Sequence, residues 1–275
     1  MKRLNLIAAT TCLSLAMLHT AWAQTAAAPA ANTVIAPAGD ASAPVTRGEI
    51  PQLVKDAILA DPEVIMQAVR KLRDRQEEEG KKASAEAFEK NKAVLLNDTV
   101  SPSIGDPKTT DVTVILFFDY HCGYCKQLLP TVQQLVNEDK KVRIIFREYP
   151  ILSEDSVTAS RAALAVHRMA PGKYWDFHAA LMKSQGKYDE ASLSAIATQL
   201  GIDANQMKNE MAKPEITEYL DNNRKVGEDL GVRGTPAMFI GNKMLPGAVP
   251  YATLKRLVEE VRTGKAAPAA APAAQ

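Results

Sequence analysis

Apolar residues recur along this chain in two periods, and each period predicts a different element. Between Thr46 and Asn97 the spacing is helical, first through Ile50, Leu53, Val54, Ala57 and Ile58, then through Ile65, Ala68, Val69 and Leu72. Asp61 with Pro62 separates these stripes as an N-cap followed by proline in the next helix's first turn. From Arg70 to Lys92 charge dominates, Gly80 interrupts, and Phe88 is almost the only large apolar residue. Such a segment builds no core of its own, so its stripes need a partner surface, either the main domain or further copies of the chain.

Beyond Thr99 the period changes. The run Val112, Val114, Ile115, Leu116, Phe117, Phe118 predicts a strand over about Asp111 to Asp119. A helix follows with Leu128, Leu129, Val132, Leu135 and Val136 inside, and Pro130 is expected to kink it. Val142 to Tyr149 reads as the next strand, ended by Pro150. From Ser153 to about Leu230 the pattern is helical throughout. A short strand, Ala237 to Ile240, a Gly241-Asn242 turn, Lys243 to Leu245 and an amphipathic helix from Tyr251 to Val261 complete the series.

Composition narrows the context. The chain has 275 residues, 46% of them hydrophobic, and a net charge of +1, which gives no electrostatic case for nucleic acid or a membrane surface. Lys2 and Arg3 precede an apolar run from Leu4 to Leu18, and Ala21-Trp22-Ala23 forms a cleavage signature. Residues 1–23 therefore read as a secretory signal peptide cut after Ala23, too short for a membrane span, with no lipid anchor indicated. Cleavage removes Cys12 and leaves Cys122 and Cys125 as the exported chain's cysteines. Residues 24–46 and 264–275 are Ala/Pro-rich and read as a disordered tether and tail. The expected organisation is a helical stalk over 47–97 and one catalytic domain over 98–263, with a helical insertion at about 153–230.

The candidate chemistry sits at Cys122-Gly123-Tyr124-Cys125, directly between strand and helix. Unpaired N–H groups at a helix start favour an anionic sulfur, and the thiolate is the species that attacks disulfides. Cys122, the N-terminal and more exposed thiol, is the expected nucleophile, and Cys125 the resolving thiol. A purely structural disulfide is the alternative, but its four-residue loop removes little unfolded-state entropy. A zinc site needs about four ligands; His121 offers one, whereas His167 and His178 lie in another segment. No metal is assigned. His121, as an imidazolium, would stabilise the thiolate, or else be a solvated side chain. Met207 and Met211 read as core filling rather than copper ligands, and Trp175 and Phe177 as packing of the insertion.

Strand, Cys-x-x-Cys, kinked helix, strand, then Gly231-Val232-Arg233-Gly234-Thr235-Pro236 before a hairpin resembles the thioredoxin fold. With its long helical insertion the chain is similar to the DsbA family of exported thiol oxidoreductases. Ile58-Leu59-Ala60-Asp61-Pro62-Glu63-Val64 and Phe117-Phe118-Asp119-Tyr120 resemble its ScsC (suppressor of copper sensitivity) type. The resemblance implies an α/β thioredoxin fold with a helical insertion, preceded by an N-terminal helical oligomerisation stalk. It implies a redox-active Cys122–Cys125 disulfide in place of any cofactor, tuned by His121, Gly123 and Tyr124. It also implies a cis-proline loop in which Thr235 and Pro236 bind substrate. Further implications are a periplasmic homotrimer assembled through 47–97, disulfide isomerase activity on misoxidised exported proteins, and a DsbD/ScsB-like membrane thiol reductase as electron donor. A monomeric dithiol oxidase and a copper-binding or copper-relay protein are the competing readings. One departure stands out: Leu116 occupies the place where these relatives keep a buried acid, so that acid's proton-relay role has no counterpart here. Asp119 is expected to be structural or partly exposed.

Overall fold

The computed structural model describes residues 44–265; the signal peptide, most of the expected tether and most of the expected tail lie outside them. Two units divide the chain after Ala60. In the first, helix α1 runs Ile50–Ala60 with none of its residues buried. Thr46 starts it: its backbone N–H and hydroxyl both donate to Glu49 Oε2, at 2.8 and 2.7 Å.

The second unit begins with α2, Glu63–Leu96, which continues unbroken through Gly80. Strands β1 (Ser103–Ile104), β2 (Val112–Phe118), β3 (Val142–Glu148), β4 (Ala237–Ile240) and β5 (Lys243–Pro246) form one sheet in the order β1-β3-β2-β4-β5. β2 and β3 are parallel, with Val112 opposite Val142 and Phe118 opposite Glu148. The other three pairings are antiparallel. Helix α3 (Gly123–Glu138) follows β2 and contains Pro130. Between β3 and β4 lie α4 (Glu154–Met169), a short 3₁₀ turn, α5 (Tyr174–Lys183), α6 (Glu190–Gln199), α7 (Ala204–Met211) and α8 (Pro214–Asp229). Ser153, Asp189 and Asp203 divide this stretch by capping α4, α6 and α7, each side chain accepting from a backbone N–H three residues on. Helix α9, Tyr251–Thr263, ends the described chain.

Both faces of the sheet are covered, which is why its inner strands read as continuous apolar runs rather than alternating ones. Val114, Leu116 and Phe118 point toward α3, α9 and the insertion. Ile115 and Phe117 point the other way, with Phe239, Tyr149 and Leu230. Phe88 and Leu95 of α2 complete that second core, Phe88 stacking on Phe239 at 5.6 Å. The stalk expected over 47–97 is therefore not a separate piece at its C-terminal end: Ser84, Phe88 and Leu95 are buried. One large ring at Phe88 and a leucine two turns later suffice to dock a charged helix on an open sheet face. A buried ion pair fastens the end of α2, with Arg147 Nη1 lying 2.7 Å from Asp98 Oδ2 while Arg147 Nη2 donates to the Val94 carbonyl.

Candidate active site

Cys122 is the N-cap of α3, placed there by the end of β2 and a tight turn in which its N–H donates to the Asp119 carbonyl. Its thiol donates to the Thr235 carbonyl at 3.0 Å, and the Thr235-Pro236 bond is cis. The structure thus brings together two sequence motifs separated by 113 residues. Both cysteines are unpaired, and both are buried. The Cys125 thiol beside Cys122 lowers its pKa to about 5 against the opposing effect of burial. The Thr235 side chain and the N–H groups of Cys125 and Tyr124 add to the lowering. Burial and the neighbouring Cys122 push Cys125 far above the ordinary thiol range. Cys122 is thus the sulfur that ionises first, giving up the proton it shares with the Thr235 carbonyl, while Cys125 stays a thiol.

Of the remaining expected residues, Tyr124 projects outward with 64% of its surface exposed. His121 turns elsewhere: its ring packs edge-on against Tyr188 at 4.8 Å, and its Nε2 lies 3.8 Å from Asp155 Oδ2. Gly123 opens the helix, and a side chain added there would meet nothing within 4 Å. Thr235 Oγ1 is buried and finds no partner beyond the two sulfurs. Leu116 and Cys125 line one small apolar void together with His178 and Pro236, so the place of the missing acid is filled by hydrocarbon.

Three residues with a part in the site escape the sequence reading or exceed it. Asp119 is fully buried and structural, as one of its two expected roles has it. Its Oδ1 accepts from His121 N and Ser156 Oγ, both at 2.7 Å; its Oδ2 accepts from Ile151 N at 2.9 Å and Leu152 N at 3.0 Å. This carboxylate clamps the cysteine turn to the start of α4. Tyr188, from the loop before α6, donates to the Tyr120 and Leu181 carbonyls and carries Lys126 over its ring at 5.7 Å. Glu148, the last residue of β3, lies wholly buried and accepts from Tyr120, Tyr174 and Ser160 hydroxyls. Burial dominates these bonds and raises its carboxyl to about 8. Burial likewise lowers His178, bonded to the Tyr120 hydroxyl at 3.0 Å, to about 3. The signal for Glu148 was present: Arg147-Glu148 is a charged pair closing a strand whose centre, Ile144-Ile145-Phe146, is apolar.

Residues 113–259 match the family model of the DSBA-like thioredoxin domain, and residues 47–79 match the Copper resistance protein ScsC N-terminal domain. A thioredoxin-like oxidoreductase from Silicibacter pomeroyi DSS-3 is 40% identical, with a TM-score of 0.59, covering 63% of this chain and 98% of its own. Proteus mirabilis ScsC in a transitional conformation is 30% identical, with a TM-score of 0.61, covering 79% of this chain and 97% of its own. Among curated proteins, Disulfide bond formation protein D of Bacillus subtilis is 25% identical over 194 residues, spanning 64% of this chain and 86% of that protein. The chain spans only 24% and 22% of the length of the first two curated relatives it matches, Na(+)/H(+) antiporters of Salinispora species.

Proposed function

The chain belongs to the DSBA-like thioredoxin domain family, and from that premise we propose that it is a periplasmic thiol-disulfide oxidoreductase acting on exported proteins through Cys122 and Cys125. The observation that carries the reading is the low-pKa Cys122 sulfur at the N-terminus of α3, held against the Thr235 carbonyl. The Cys122 thiolate attacks one sulfur of a client disulfide. A Cys122–client disulfide forms, the client S–S bond breaks, and the departing client thiolate takes a proton. Either of two steps releases the enzyme. A second client thiolate attacks the mixed disulfide, which regenerates the Cys122 thiolate and moves the client's disulfide without net electron transfer. Alternatively Cys125 gives up its proton and attacks Cys122, which reduces the client by two electrons and leaves the Cys122–Cys125 disulfide. Burial keeps the Cys125 thiol protonated, so this second route needs a proton acceptor that the first does not. Thr235 and Pro236 form the ledge for the client, and a DsbD/ScsB-like membrane thiol reductase returns the disulfide to dithiol.

Self-association into a trimer through the N-terminal helices fits the large apolar residues they expose. Leu53, Val54 and Leu59 of α1, and Ile65, Met66 and Leu72 of α2, are each at least 44% exposed. Several thiolates held around one client would raise their effective concentration. Among the described residues no helix is long and apolar enough to cross a membrane, and no cluster of three or more metal-ligating side chains occurs.

The test is reactivation of scrambled ribonuclease in a reducing glutathione buffer, with light scattering on the same samples. Reactivation that Cys122→Ser abolishes, and a mass that falls to one chain in Leu53→Glu/Ile65→Glu, are the expected results. Brisk oxidation of reduced substrates by a single-chain species, with no reactivation, rejects isomerisation in favour of a dithiol oxidase. Tight Cu(I) binding without disulfide turnover rejects both.

A further inference from the structure

An open groove of about 1130 Å³ runs from Thr235 and Pro236 along the outermost strand of the sheet. Its floor is the free edge of β5. The Gly241-Asn242 turn pairs Ile240 with Lys243, and Gly247 N donates to the Pro236 carbonyl at 2.8 Å. Both pairs share one antiparallel parity, so the N–H and C=O of Met244 point away from β4, toward the groove. One wall is α9, through Leu257 and Val261; the other is α2, through Gly80, Ala83 and Ser84. A side chain at Gly80 would meet nothing within 4 Å, so this stretch of the helix faces open space.

We propose that α2 is a client-contacting wall, and that the occupant of the groove is an extended, uncharged, mainly apolar stretch of an unfolded polypeptide. This rests on the thiol-exchange reading above and goes beyond it, because it gives the N-terminal region a role in recognition as well as in assembly. Three features select that occupant. An outward-facing peptide unit on a sheet edge is satisfied by another backbone in extended form. The rim charges are of both signs, Glu77, Glu228 and Asp229 against Lys81, Lys82, Arg233 and Lys243, and so favour neither an acidic nor a basic segment. The groove also starts where Cys122 touches Thr235, so a client joined to Cys122 by a disulfide leaves the sulfur directly into it.

The experiment uses the full-length reduced protein and two substrates: scrambled ribonuclease, which would fill the groove, and glutathione disulfide, whose tripeptide arms are small against a groove of about 1130 Å³. Gly80→Trp and Ala83→Trp place an indole in the groove; Glu86→Trp, on the same helix outside it, is the control. The expected result is that the ratio of the ribonuclease rate to the glutathione rate falls about fivefold or more in both groove variants and stays unchanged in the control. An unchanged ratio in folded Gly80→Trp and Ala83→Trp overturns the proposal. So does a change of solution mass without a change in ratio, which would assign the groove to a second copy of the chain. A parent protein whose Cys122 does not react even with glutathione disulfide removes the thiol-exchange reading itself, and the role of the groove with it.

Discussion

Glu148 and Cys122 are ionisable groups whose folded pKa values are displaced in opposite senses, and Glu148→Gln separates them. Glu148 titrates near 8 in the folded chain and near 4.5 once exposed. Between those values the unfolded chain has released a proton that the folded chain keeps, so raising the pH favours unfolding. Cys122 is the reverse, at about 5 folded against 9 unfolded, so raising the pH across that window favours folding. Each contributes about 1.4 kcal/mol per pH unit, or roughly 3 kcal/mol between about pH 5.5 and 7.5. In the parent the two slopes offset each other. Glu148→Gln keeps the side chain's shape and can still accept from Tyr120 and Tyr174, so it removes one slope alone. Urea unfolding under reducing conditions at the two pH values reads the effect. The variant should gain roughly 3 kcal/mol on the parent as the pH rises, while Cys122→Ser should lose about as much. His178, held near 3, makes parent and variants alike less stable as the pH falls below about 6.5, and so drops out of these differences. A Gln variant whose advantage is the same at both pH values refutes the assignment of a protonated Glu148.

Three further outcomes are expected. Iodoacetamide should label Cys122 alone, with a rate midpoint near pH 5, and Thr235→Val should raise that midpoint by about one unit; a parent midpoint near 9 contradicts the site's electrostatics. Asp119→Asn cannot accept from all four of its donors, so thermal melting should show a loss of about 3 kcal/mol and alkylation a less uniform Cys122. Phe88→Ala should cost about 3–5 kcal/mol because the ring is buried against Phe239, whereas Lys82→Ala, on the exposed charged stretch of the same helix, should stay within about 0.5 kcal/mol. Equal effects at positions 82 and 88 would deny that α2 is part of the second core.

The sheet was legible because β2, β3 and β4 are buried on both faces, so their apolar runs carry no ambiguity of side. β1 was not, since two residues paired antiparallel to β3 carry no periodicity to detect. The insertion reads as helix over its whole length, but only the capping bonds of Ser153, Asp189 and Asp203 show where it divides. Cys122, Cys125 and the Thr235-Pro236 loop were readable as two local motifs, and the fold supplies only their contact. What composition hides is long-range polar pairing. Glu148 meets hydroxyls from the segments at 120, 160 and 174, and Asp119 meets amides at 151 and 152. No local pattern encodes those meetings. His121 belongs to the same class, since its packing on Tyr188 and its approach to Asp155 are not announced by its place beside the nucleophile.

Helix α2 explains why the N-terminal segment resists a single description. Its opening residues, Val64, Ile65 and Met66, expose apolar surface that the described chain does not cover. Its middle faces the groove without filling it, and its last turns are core. Arg147 joins that core end to β3, donating to the Val94 and Leu95 carbonyls while paired with Asp98, and both partners are almost wholly buried. Breaking such a pair by losing one member typically costs about 3–5 kcal/mol. That makes separation of the end of α2 from the sheet a rare event. Since β3 also carries Glu148 and pairs throughout with the strand leading to Cys122, the far end of α2 is fixed to the frame of the redox turn. A partner surface bound at the exposed start of the helix would therefore be held in a defined direction from the Cys122 sulfur, and the groove wall would be held with it.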